Sequence, residues 1–341
     1  MQNRGMTLVE LLVIMVIFII LTSATLTFLS NLTKRSYQEA AKTRTTQTGI
    51  VSESILLRDV AMAGLGVPVI VKIGTTDYFV PIGSNNNNGQ NNSDELIIKG
   101  ASISSAADNY MKWGYNTSYI NASDTTVTIT SNQESPAPSY PNFPQFESND
   151  KIVFLNTETK ELFGNVYTIQ SVAGNNLSLN NATGFIADIK TVFAFSLGGI
   201  SKTDAGNNIN TFQDYFLNTF TGYRLCSCNA NNICSLCRVY GSPMPILDGV
   251  LDFQVQFGLI DPAGNVTWED DISGEAPVTL KNQLRLVRIF IVKQYGKRDP
   301  SYNYPNASIS TADNIVNLNS ELRHYRWRTI TLEIPLRELQ Q

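Results

Sequence analysis

Histidine is almost missing: His324 is the only one in 341 residues. That excludes every metal site built on several histidines and leaves triad-type catalysis little material. Charge is scarce as well, at 16% of residues. The 25 Lys+Arg and 29 Asp+Glu give a net charge of −4 with no block of one sign. Neither a nucleic-acid footprint nor an acidic tail is therefore visible. No phosphate loop, nucleophile elbow or carboxylate pair has a sequence rationale, and no internal repeat is detected. His324, between Arg323 and Tyr325, has no visible catalytic partner and reads as a strand-entry residue. The expectation is a protein that is not an enzyme, with no cofactor and no metal. What is abundant is Asn, Ser and Thr, a neutral polar surface that suits an exported protein.

The N-terminus holds one long apolar run. From Met6 to Leu29 there are 24 residues with no charge except Glu10. As a helix this run is about 36 Å long, enough to cross a bilayer core. A plain signal peptide is the ordinary alternative, and Thr22-Ser23-Ala24 could supply its cleavage site. Two features oppose it. An unpaired carboxylate at Glu10 costs about 3 kcal/mol in lipid. No break follows Ala24 either: helical sequence runs on through Tyr37, Ile50 and Ile55 to Ala63, and the first proline is Pro68. The signal Gly64-Leu65-Gly66-Val67-Pro68 then stops it. Leu56, Val60 and Ala63, with Leu57, Ala61 and Gly64 beside them, form one apolar stripe able to pack on a sheet.

After Pro68 the texture changes to short β-branched runs between polar loops. Val67–Ile73, Tyr78–Ile82, Glu95–Lys99, Thr125–Thr130, Lys151–Leu155, Val166–Val172, Asn176–Leu179 and Thr191–Phe195 read as strands. The Asn/Gly-rich stretch Ser84–Ser93 reads as a flexible tip. Gln133–Asn149, with four prolines, reads as a loop. Nearer the C-terminus, Leu251, Phe253, Val255 and Phe257 alternate with polar residues as in a half-buried strand. Leu284–Val292 is more uniformly apolar, and Arg328–Ile334 alternates again. Asp261-Pro262-Ala263-Gly264-Asn265 has turn chemistry, not the spacing of a calcium loop.

Arg4-Gly5-Met6-Thr7-Leu8-Val9-Glu10-Leu11-Leu12 resembles the leader and cleavage site of type IV prepilins and pseudopilins. The resemblance implies cleavage after Gly5 by the prepilin peptidase and an N-methylated Met6. Glu10 would then neutralise the amine of a neighbouring subunit in the filament core, since a buried charge is tolerable when paired. Leu56–Gly64, Ile246–Val250 and Arg326–Arg337 are similar to the PilW type of minor pilin. The organisation expected is a leader at 1–5, a transmembrane or filament-core half-helix at 6–29, an amphipathic half at 30–64, and a β-rich globular domain at 65–341. A variable β-rich insertion spans about 100–220. The fold class is α+β: a pilin fold with one long N-terminal helix packed on a C-terminal antiparallel sheet.

The function implied is a minor type IV pilin that primes or caps a pilus. The alternatives are a J-type pseudopilin of a type II secretion system, or a tip adhesin that uses the pilin stem. The partners implied are other major and minor pilins, the inner-membrane assembly platform, the prepilin peptidase and the membrane itself; no nucleic acid is expected. Before assembly the chain would span the inner membrane once with its body in the periplasm, and afterwards it would lie in an extracellular pilus.

Cys226, Cys228, Cys234 and Cys237 crowd into twelve residues. A tetrathiolate zinc site suits such spacing. An oxidising compartment favours disulfides. A Cys226–Cys228 ring would be strained, which leaves two pairings. The nested one, Cys226–Cys237 with Cys228–Cys234, zips a hairpin but needs a bulge near Ser235-Leu236, because Cys226 and Cys228 share a strand face. The crossed one, Cys226–Cys234 with Cys228–Cys237, stays open.

Overall fold

The computed structural model describes residues 8–64, 69–73, 76–99, 113–131, 146–158, 162–196, 220–240 and 242–337. Its first element, α1 (Leu8–Ala61), runs unbroken for 54 residues, about 80 Å. No proline interrupts it. From Leu8 to Tyr37 every described side chain is exposed. Beyond that, Gln38, Lys42, Thr45, Gly49, Ser52, Leu56, Asp59 and Ala63 are half-buried or buried. Steps of four and three residues keep them on one helix face. Leu57, one position round from Leu56, turns to solvent and does not belong to that stripe. The helix stops at Gly64, whose φ of +87° favours glycine. A Cβ there would also lie 2.9 Å from Pro81.

The hairpin β1 (Ile70–Ile73) and β2 (Thr76–Phe79) follows. The single strand expected at Tyr78–Ile82 is broken, because Pro81 has no N–H to give a ladder. Val80 N bonds instead to Val69 O, and β3 (Ile82–Asn85) begins afresh beside β4 (Glu95–Ile98).

Next come β5 (Trp113–Asn116), β6 (Thr126–Ser131), β7 (Lys151–Asn156), β8 (Leu162–Ala173), β9 (Asn176–Leu179) and β10 (Val192–Ser196). They close into an antiparallel barrel in the order β10-β5-β6-β9-β8-β7. The run β10-β7-β8-β9 is a Greek key, with the last strand returned beside the first. Its interior has its own core, with Ile152, Phe154, Tyr167, Ile169 and Leu177 buried.

The remaining strands are β11 (Thr221–Cys226), β12 (Cys234–Tyr240), β13 (Ser242–Ile260), β14 (Val266–Glu269), β15 (Leu284–Gln294), β16 (Ser308–Ser310), β17 (Ile315–Asn317) and β18 (Trp327–Pro335). A short helix, α2 (Pro277–Gln283), precedes β15. The main sheet runs β18-β15-β13-β12-β11-β4-β3, with β14 on the end of β13. Leu56, Val60 and Ala63 of α1 share a core with Phe253, Val255, Val287 and Ile289 of this sheet. The long helix packed on an antiparallel sheet is the α+β architecture expected from the sequence.

Two further expectations need correction. The register slips between Val250 and Asp252 where β13 meets β15. Leu251 therefore faces the side opposite to Phe253, in a second cluster with Leu318, Leu322 and Trp327. Asp252 and Gln254 are fully buried, so this stretch is covered on both faces. The Asn-rich stretch is not a free tip. It lies against β13 where β12 has ended, and supplies the missing strand's hydrogen bonds. Asp94 N donates to Phe253 O at 2.8 Å, Val255 N donates to Asp94 Oδ2 at 2.7 Å, and Asn91 Nδ2 donates to Leu251 O at 2.9 Å.

Candidate functional site

Gly5 and Met6 lie outside the described residues, and Glu10 is the third residue of α1. The run from Leu8 to Leu32 presents large apolar side chains around the whole helix. The threonine hydroxyls inside it bond back to the preceding turn. Thr22 and Thr25 reach Phe18 O and Leu21 O at 2.7 Å, and Thr27 reaches Ser23 O at 2.9 Å. These polar groups thus need no water, as lipid demands. Among the described residues this is the one helix long and apolar enough to cross a membrane.

The stem is useful only if the body cannot slide on it, and polar contacts set the register. Asp59, buried in the helix stripe, accepts from Arg238 Nε and from Tyr223 OH, both at 2.7 Å. Arg58 adds a contact to its other oxygen at 3.0 Å. A buried carboxylate held this way is tolerable, and unpaired it is costly. Two and nearly three turns earlier, Ser52 Oγ donates to Ile246 O, and buried Gly49 leaves the space that Lys293 occupies. Lys293 Nζ lies 3.5 Å from Thr45 O and 3.9 Å from Glu53 Oε1. Burial pushes its ammonium below the usual lysine range, and Glu53 opposes that. Lower still, Gln38 Nε2 donates to Asp299 Oδ2 at 3.2 Å. Ser301, foremost among several donors, holds the Asp299 carboxyl below the usual range.

None of Gly49, Asp59, Arg238 or Lys293 was singled out from the sequence. Asp59 gave the available signal, a charge three residues from Leu56 on an apolar stripe. Its partners lie 164 and 179 residues away, which no local pattern reveals.

The four cysteines form two disulfides, Cys226–Cys237 and Cys228–Cys234. The assumption that Cys226 and Cys228 share a strand face does not hold. Strand β11 ends at Cys226, and Ser227 takes a φ of +51°, which turns Cys228 out of the strand. The β11–β12 register stays unbroken, with Cys226 opposite Ser235 and Arg224 opposite Cys237. The outer disulfide is therefore diagonal. The irregularities at Cys234/Ser235 and Leu236/Cys237 face β13 instead.

Asp261 closes the β13–β14 turn, accepting from Asn265 N at 2.8 Å and Asn265 Nδ2 at 2.9 Å. His324 ends a 3-10 turn, Leu322–His324, and its Nδ1 lies 2.8 Å from Tyr302 O. It ties down a loop and does not enter a strand.

The prokaryotic N-terminal methylation motif matches residues 1–26. No curated protein matches the chain. No solved structure matches it either. Such a motif belongs to a prepilin processed by its peptidase for assembly with other pilins, and it suggests a structural protein. The matched motif, continued by an apolar helix that fits a membrane anchor, supports a type IV pilin-like protein.

Proposed function

We propose that the chain is a minor subunit of a type IV pilus of the PilW type, which primes assembly or caps the filament. The observation behind this is the division of α1 at Gln38: a free apolar stem below, and a stripe locked to a bulky body above. A body that includes a barrel on top of a full sheet is hard to repeat along a thin helical filament. In this reading Gly5 marks the cut, Met6 becomes the methylated N-terminus, and Glu10 pairs with a neighbour's amine in the filament core. Before assembly the stem sits in the inner membrane with the body in the periplasm. Other pilins, the assembly platform and the prepilin peptidase are its partners.

A second reading, display of a binding module at the tip, has one observation in its favour. Lys99 and Thr221 flank the barrel segment, and Gly64 N donates to Lys99 O at 2.8 Å. The barrel therefore joins the body beside the end of α1 farthest from the stem.

Mass spectrometry of membrane- or filament-associated protein tests the proposal. It should find a chain that begins at methylated Met6. A chain that begins at Thr25 would restore the plain signal peptide and sink the pilin reading.

A further inference from the structure

Among the described residues the main sheet has an open edge at β3, and what lines it specifies a partner. Lys99 N donates to Pro81 O at 2.9 Å, so Pro81 and Lys99 form a hydrogen-bonded pair. The alternation of an antiparallel ladder then makes Gly83/Ile97 and Asn85/Glu95 the next such pairs. Ile82 and Ser84 consequently point their main-chain N–H and C=O groups away from β4. A groove of about 420 Å³ runs along this edge, between β3, β2 and α2. Its walls are Phe79, Ile82, Ile97, Ile272 and Leu280.

Two further features bear on what fits there. Gly83 faces the groove, and a Cβ built on it would meet nothing within 4 Å. The Ser84 hydroxyl is buried and has no hydrogen-bond partner. Among the described side chains the rim carries charge of one sign; Lys72 stands opposite Asp77 in the β1–β2 ladder, and its side chain is not among them. Asp77 and Glu275 line the groove, both are exposed, and no lysine or arginine lines it. Among the described residues neither acid is in a salt bridge.

We propose that this groove takes an extended segment of a partner protein, apolar at alternate positions and basic at its ends, as an added strand on β3. Main-chain bonds to Ile82 and Ser84 supply the pairing, and Phe79 and Ile97, the half-buried members of the wall, meet the alternate side chains. Glu275 selects a basic segment over an acidic one. The groove is on the side of the sheet away from β18, apart from the stem, so such a contact does not compete with helix packing.

The test uses the full chain in detergent micelles and two labelled peptides, Lys-Val-Thr-Val-Thr-Val-Lys and Glu-Val-Thr-Val-Thr-Val-Glu, with binding read by fluorescence anisotropy. The basic peptide should bind and the acidic one should not. Gly83→Leu fills the groove, and Glu275→Lys reverses the rim; each should weaken binding by about tenfold or more. Higher salt should weaken it too. If the basic peptide does not bind, if both peptides bind equally, or if Glu275→Lys binds as well as the parent chain, the proposal fails. A second copy of this chain on the groove, seen as concentration-dependent dimers that Gly83→Leu abolishes while the basic peptide stays unbound, would also overturn it. Binding is read without assembly, so a negative result leaves the stem reading untouched.

Discussion

Single residues in the body carry unusual electrostatic costs. Asp94 is buried beside Asp252 and Asp313, and desolvation pushes its carboxyl up to about 7 despite two backbone N–H donors. Lys99 is buried at the end of β4, and desolvation pushes it down to about 7. The signs combine in a specific way. Between its ordinary value of 3.8 and about 7, Asp94 holds a proton in the folded chain that the unfolded chain has lost, so stability falls as pH rises through that window. Between about 7 and its ordinary 10.5, Lys99 is neutral when folded and charged when unfolded, so stability rises with pH. Stability should therefore pass through a minimum near pH 7. Urea unfolding at a series of pH values checks this, and Asp94→Asn should flatten only the acid limb. A parent chain equally stable at pH 5 and pH 7 would refute the assignment. The sequence shows neither group as special: Asp94 and Lys99 look like ordinary charges at two ends of a short strand. Their burial comes from β13 and from the end of α1, both remote in sequence.

At the level of elements, legibility followed locality. Helix α1 could be read because an apolar run passes without proline into a periodic stripe, and β18 because its alternation is intact. The bulge at Leu251 was hidden, since β13 keeps perfect alternation through it and only the register with β15 betrays the slip. The Asn-rich loop was misread for a related reason: a polar, low-complexity stretch looks mobile until a partner strand ends and leaves donors and acceptors for it to satisfy. Barrel closure was equally invisible: five of its strands could be read, β5 (Trp113–Asn116) could not, and separate strands do not announce their order. The disulfide hairpin lies between these cases. Its loops, with sequence separations of 11 and 6, constrain the unfolded chain only modestly, by about 3 kcal/mol each at most. Replacing all four cysteines with serine should leave the body folded and expose Asn229–Ile233 to proteolytic nicking. Non-reducing peptide mapping should recover two intramolecular bonds. Four free thiols with one bound zinc would overturn this account.

At the scale of the whole molecule, the stem and the body ask different things of the same helix. In the function proposed above, the stem is to be stable alone in lipid and again among other stems, and Glu10 is the residue on which those demands would conflict. Glu10→Ala removes a charge from lipid, so membrane insertion should stay the same or improve. Entry into filaments should nonetheless drop, because a neighbouring amine loses its partner. Fractionation followed by recovery in sheared filaments measures both, and normal recovery would show that the pairing is wrong. The body's attachment has a mechanical side as well. The Thr221 hydroxyl donates to Ile98 O at 2.6 Å, so the end of β4 and the start of β11, which flank the barrel in sequence, lie side by side on antiparallel neighbours. Tension applied to the barrel pulls both strand ends in one direction. It does not unzip β4 from β11, because nothing drives that pair apart. The load passes sideways into β3 and β12 as shear, and from there through the Asp59–Arg238 contact into the helix, so a pull at the outer end reaches the stem without opening the sheet at its join.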